Sequence, residues 1–156
     1  MPCASTLTET PLALVNSGNI AVNSPELSTE VVDAAPAGAV GIQMALPDGT
    51  PRFLPAAISA NAGTVTFFLE NVPGGRGRSP DHNMLIGPAN VHFFPDGSVA
   101  ADQVLAGTPH ITAGQRAVFK VKDLAPGTYV FWCSIDLGPG GTHASEGMVG
   151  TLTITP

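Results

Sequence analysis

Several short runs place an apolar residue at every second position, and none of them is long enough to make a helix instead. VGIQMAL (40–46), FLPAAIS (53–59), TVTFFLENV (64–72), QRAVFKV (115–121), YVFWC (129–133) and TLTI (151–154) read as strands, because side chains alternate between the two faces of a strand. In the fifth run Tyr129, Phe131 and Cys133 share one face, while Val130 and Trp132 share the other. PDGTP, ANAG and LAPGT break the runs with turn residues. HNMLIG (82–87) and VHFF (91–94) are further strand candidates, and Ser98 to Leu105 reads as a helical turn. With 18 Gly and 15 Pro among 156 residues, seven or eight strands predict an all-β antiparallel sandwich. The compact domain is expected over 39–156. Residues 1–38, rich in Ser, Thr, Asn, Ala and Pro, are expected to form a leader that is partly disordered or packed over the domain edge.

The net charge is −6, and the six bases form no run, which argues against nucleic acid as a partner. No apolar stretch approaches the roughly 18 to 20 residues that span a bilayer, and no basic start leads into a signal-like apolar core. A phosphate loop, an internal repeat and a Ser-His-Asp pattern are all lacking from the sequence. Cys3 and Cys133 can pair in principle, although Cys3 lies in a polar tract and Cys133 has other company. Cys3 also reads, weakly, as a lipid-attachment cysteine, without the residues that would precede one.

That company is Cys133, His143 and Met148, a thiol, an imidazole and a thioether placed between the last two strands. Soft donors of this kind suit copper better than magnesium or calcium, which take oxygen ligands. A type 1 copper site needs a second histidine in the plane, and His82, His92 and His110 are the candidates. His82 is preferred, because it opens a strand candidate and precedes Asn83, whose amide can bond across to the ligand loop and hold it.

YVFWCS followed by HASEGMVGTLTI resembles the copper-binding loop of the cupredoxins, particularly the plastocyanin-like members. FLPAAISANAGTVTFFLENV and the His-Asn pair of DHNMLIG follow in the family's order, so the resemblance runs from about Phe53 to Pro156. It implies a Greek-key β-sandwich and electron transfer by one copper ion, with His82, Cys133, His143 and Met148 as ligands. Asn83 and Ser134 would support the ligands from behind. His143, ringed by Leu137, Pro139 and Leu85, would mark one electron-exit face, and Trp132 either a second exit or plain packing. Asp136 and Glu146 would favour Cu(II), attract a cationic partner, or stay solvated. The chain departs from the pattern in the nine residues, SIDLGPGGT, between Cys133 and His143. Simple plastocyanin-like proteins have far fewer there, and type 1 sites of copper nitrite reductases come nearer this length.

Copper oxidases and reductases need further histidines beside the type 1 cysteine, and Trp132 and Ser134 stand there instead. The expectation is therefore a carrier, not an enzyme: monomeric, periplasmic or otherwise extracytoplasmic, and serving a redox protein such as a c-type cytochrome or a copper oxidase or reductase. A copper delivery, storage or sensing module is the alternative in another class. A metal-free sandwich with Cys133 and Met148 in its core is the third.

Overall fold

A computed structural model describes residues 6–7, 27–46, 48, 50–72, 81–135 and 141–156. Cys3, Asp136, Leu137 and Pro139, each given a role among the expectations above, lie outside these residues. Ten strands fold into two five-stranded sheets among the described residues. One sheet has the order β1 (Thr6–Leu7), β2 (Leu27–Val31), β8 (Arg116–Leu124), β5 (Gly63–Glu70), β3 (Val40–Gln43). The other has the order β4 (Ala57–Asn61), β10 (Val149–Thr155), β9 (Gly127–Trp132), β6 (Leu85–Pro88), β7 (Ala106–Gly107). Eight of these strands have four residues or more, as the sandwich predicted from the sequence requires.

Alternation in the sequence becomes alternation in burial. Along β5 the side chains of Val65, Phe67 and Leu69 point inward, and along β10 Leu152 and Ile154 do. They meet in one core, where Phe67 stacks on Phe119 at 5.7 Å and Phe53 packs edge-on against Phe131 at 4.9 Å. Burial of these rings is the main driving force for bringing the sheets together.

Both sheets are mixed and not purely antiparallel, since β3 pairs with β5 and β4 with β10 in parallel. The reason is that the chain leaves one sheet after β3, adds β4 to the other sheet, and returns as β5. VHFF is not a strand. A turn from Pro88 to Val91 and a bond from the His92 N–H to Gln103 Oε1 take the donors that a ladder would use. FLPAAIS is a strand only from Ala57, because Pro55 cannot donate to a ladder, and Leu54 makes a single bridge to Gln43. The helical turn expected after Ser98 is present as one 3₁₀ turn, Ala101–Gln103. Before residue 39, β2 pairs along its length with β8 and extends that sheet.

Sheet register fixes where the site lies. In the order β10-β9-β6, Val149 pairs with Trp132, and Trp132 with Leu85. Residues just outside those positions, Met148, Cys133 and the 82–84 segment, therefore emerge together at one end of the sandwich.

Candidate metal centre

The segment before β6 is anchored by an antiparallel bridge in which the His82 and Ile111 main chains exchange bonds of 3.1 and 2.7 Å. Met84 follows, its N–H bonded to Thr108 Oγ1 at 3.1 Å. On the other side of the site, the 3₁₀ turn His143–Glu146 presents His143, whose N–H bonds to the Ile135 carbonyl at 2.9 Å. Ala144 N–H bonds to the Cys133 carbonyl, and Cys133 N–H to the Met148 carbonyl. Met148 N–H in turn reaches the His143 carbonyl at 3.1 Å. These bonds tie three of the four expected ligands to one another through the main chain, so their relative positions follow from the backbone.

The side chains converge. His82 Nδ1 lies 3.1 Å from His143 Nδ1, and Cys133 Sγ lies 3.8 and 3.4 Å from these two nitrogens. The three donor atoms are within 4.8 Å of one another, and all three residues are buried, as is Met148. His92 and His110 are elsewhere: His92 is exposed against Phe94, and His110 is an exposed neighbour of Asp81. Of the three candidate histidines, His82 alone joins Cys133 and His143.

Asn83 is fully buried and bridges two segments. Its Nδ2 donates to Ser134 Oγ at 2.9 Å, its Oδ1 accepts from Ser134 N–H at 2.8 Å, and its own N–H points at Cys133 Sγ, 3.4 Å away. Replacing Asn83 by Ala removes both side-chain bonds and leaves the part-buried Ser134 N–H without its partner. The expected loss is about 2 kcal/mol of stability. Thermal unfolding of the metal-free protein measures it, and an unchanged midpoint would contradict the role given to Asn83.

Burial sets the protonation of the donors. It pushes the Cys133 thiol up to about 12, although the N–H groups of Asn83 and Ile135 favour the thiolate. Burial, and then the neighbouring His143, lower His82 to about 4. Burial also lowers His143, against an opposing pull from Glu146. At neutral pH the metal-free site thus holds two neutral imidazoles and a thiol whose ionised form has no cation to balance it. A soft cation that accepts two imidazole nitrogens and a thiolate is what these residues fit, and its binding releases the thiol proton.

A pH dependence of the metal-free fold follows from His82. Between about 4 and the ordinary histidine value the unfolded chain binds a proton that the folded chain does not. Stability is therefore full above the unfolded value and falls as pH drops toward 4, by an expected total of about 3 kcal/mol from this residue. Urea midpoints measured from pH 7 to pH 4 test it, with His82→Gln as the variant that should flatten the profile.

Trp132 is buried: Phe93 covers it edge-on at 5.5 Å, so the indole does not reach the surface by itself. Leu85, expected on a rim around His143, is buried too, and His143 is only 1% exposed. Support that the sequence reading missed comes from Ile111, Thr108 and the turn at 96–97. Asp96 O accepts the Thr142 N–H at 2.9 Å, and a Cβ on Gly97 would fall 2.3 Å from Thr142 Oγ1. The one sequence signal that could have marked this turn is the triplet Pro95-Asp96-Gly97, and it carries nothing about what the turn packs against.

Comparison with protein families matches residues 40–155 to the copper binding proteins of the plastocyanin/azurin family. The chain belongs to that family. Its cofactor is copper, and the buried His-Cys-His set with Met148 beside it is a type 1 donor set. Among solved structures, auracyanin B is 28% identical, with a TM-score of 0.58, over 86% of this cupredoxin and 100% of that chain. Auracyanin from Roseiflexus castenholzii is 23% identical (TM-score 0.54, 78% and 100% covered) and rusticyanin 19% (0.54, 98% and 100%), likenesses that show the fold. A comparison with curated proteins finds no match. Within the described part of this cupredoxin, no helix is long and apolar enough to cross a membrane.

Proposed function

We propose that this cupredoxin is a one-electron carrier, with His82, Cys133, His143 and Met148 holding a single copper ion. The observation that carries the proposal is the convergence of three buried donor atoms within 4.8 Å, each on a segment fixed by main-chain bonds. Copper, when bound, supplies a one-electron Cu(II)/Cu(I) couple. The protein's part is to change little when the charge changes. Neutral His82 and His143 offer nitrogen lone pairs without first losing a proton, and Cys133 supplies the negative charge once its proton has left. Met148, buried at the same end of the sandwich, would add a weaker thioether donor. Asn83 and Ser134 lock the Cys133 segment to the His82 segment, which keeps the donors from rearranging between oxidation states.

Electrons would pass through the His143 side of the site, with Trp132 and Phe93 as a second route. The net charge of −6 favours a partner with a basic docking surface, such as a c-type cytochrome, or a copper oxidase or reductase. We read the chain as monomeric, extracytoplasmic and without enzymatic activity of its own. Residues 39–156 would form the copper-binding domain.

Repeated ascorbate reduction and reoxidation of the copper-loaded protein, with a Cu(I) chelator outside, tests the carrier reading. A carrier keeps its copper and regains its full absorption in each cycle. Loss of copper to the chelator in the first reduction would point instead to delivery or storage.

A further inference from the structure

Arg52 stands far from the copper site in sequence and was singled out by no motif, yet its guanidinium reaches the ligand turn. Nη1 donates to the Glu146 carbonyl at 2.5 Å and to the Pro51 carbonyl at 2.7 Å. A Cβ on Gly147 would fall 3.0 Å from its Cζ and 3.2 Å from both terminal nitrogens, so the cation lies flat against the Gly147 backbone. Gly147 closes the 3₁₀ turn His143–Glu146 in the left-handed region, at φ 104°, and the next residue is Met148. Arg52 thus closes off the free carbonyl end of the one turn that connects His143 to Met148, as a cation at a helix C-terminus does.

The base of this contact is firm. Leu54 exchanges two main-chain bonds with Gln43 at 2.8 and 2.9 Å, and Phe53 is buried against Phe131. Gln43 ends β3, which belongs to the sheet opposite the one that carries Cys133 and Met148. The contact therefore fastens the ligand turn to the other half of the sandwich.

We infer that Arg52 is a positioning residue for the copper site, holding the His143-to-Met148 turn in place and setting a positive charge against Gly147, one residue before Met148. This rests on the reading of His143 and Met148 as ligands. Two effects follow. A guanidinium fork that loses its carbonyl partner frees the turn, and a lost positive charge next to the site stabilises Cu(II) over Cu(I) and lowers the potential.

Full-length Arg52→Gln and Arg52→Lys test the inference in two states of the protein. In the copper-free state, amide exchange at Gly147 and Met148 is expected to quicken by about tenfold in both variants, with exchange at Val65 and Phe119 unchanged as the control for folding. In the copper-loaded state, both variants are expected to change the ratio of the absorption bands near 450 and 600 nm. At a fixed potential the Cu(II)/Cu(I) ratio should rise about fivefold in Arg52→Gln, about 40 mV at 59 mV per tenfold, and less in Arg52→Lys. Unchanged exchange at Gly147 and Met148 overturns the inference, even where the potential moves, because charge alone would then explain it. Failure of the ligand reading shows separately, as a wild-type protein that binds Cu(II) without any thiolate band.

Discussion

Cys133→Ser is expected to lose the intense visible absorption of the copper-loaded protein completely and to bind copper at least ~100-fold more weakly. The band of a type 1 site comes from charge transfer out of a thiolate, and a serine hydroxyl in the same place neither ionises nor offers a soft donor. Loss of a supporting hydrogen bond alone weakens metal sites by about 10- to 100-fold, so loss of the strongest donor should cost more. The fold itself should survive. Serine nearly preserves the volume, and the Asn83 and Ile135 N–H groups that face Sγ remain as partners for the hydroxyl. Absorption titrations with Cu(II), beside far-ultraviolet circular dichroism, separate the two effects. A Cys133→Ser protein that keeps the band would remove Cys133 from the site.

Gly150→Val is expected to destabilise the protein by about 3 kcal/mol or more, the largest effect on the fold outside the core rings. Gly150 pairs with Phe131 across β10 and β9, and Thr151 N–H bonds to the Ala56 carbonyl at 2.8 Å. A Cβ at residue 150 would fall 2.3 Å from Phe131 Cζ and 2.6 Å from the Ala56 carbonyl oxygen. Neither neighbour can yield freely: Phe131 is held edge-on by Phe53, and Ala56 is main chain at the start of the parallel pair with β4. Because Met148 lies two residues earlier, copper binding should weaken together with the fold. Denaturant unfolding of the metal-free variant gives the number, and a wild-type midpoint would mean that the β4-β10 junction is looser than its geometry implies.

Much of this architecture was legible in the sequence, because burial on one face leaves a period-2 trace. The inward positions of β5 and β10 are the alternating apolar residues of TVTFFLE and TLTI. VHFF misled because Phe93 packs on Trp132 from outside the sheet, and a run of four cannot show whether it is laddered or laid across. The parallel pairs were invisible, since strand direction depends on which sheet the chain enters after β3, and alternation carries no such information. At the site, residue chemistry and order pointed to His82, Cys133, His143 and Met148; the structure brings the donor atoms of the first three together, and Met148 is buried. What the sequence could not disclose were supports that act through the backbone or across the sandwich, such as Ile111 bridging His82, and Arg52 on Gly147. Such contacts leave no spacing to recognise.

The most direct test of the account is a visible absorption and EPR spectrum of the wild-type protein loaded with one equivalent of Cu(II), followed through ascorbate reduction and reoxidation. The expected result is an intense band near 600 nm, with or without a second near 450 nm, that bleaches on reduction and returns in full. A weak spectrum of tetragonal Cu(II) with no charge-transfer band would contradict it, because Cys133 would then not be bound to the metal.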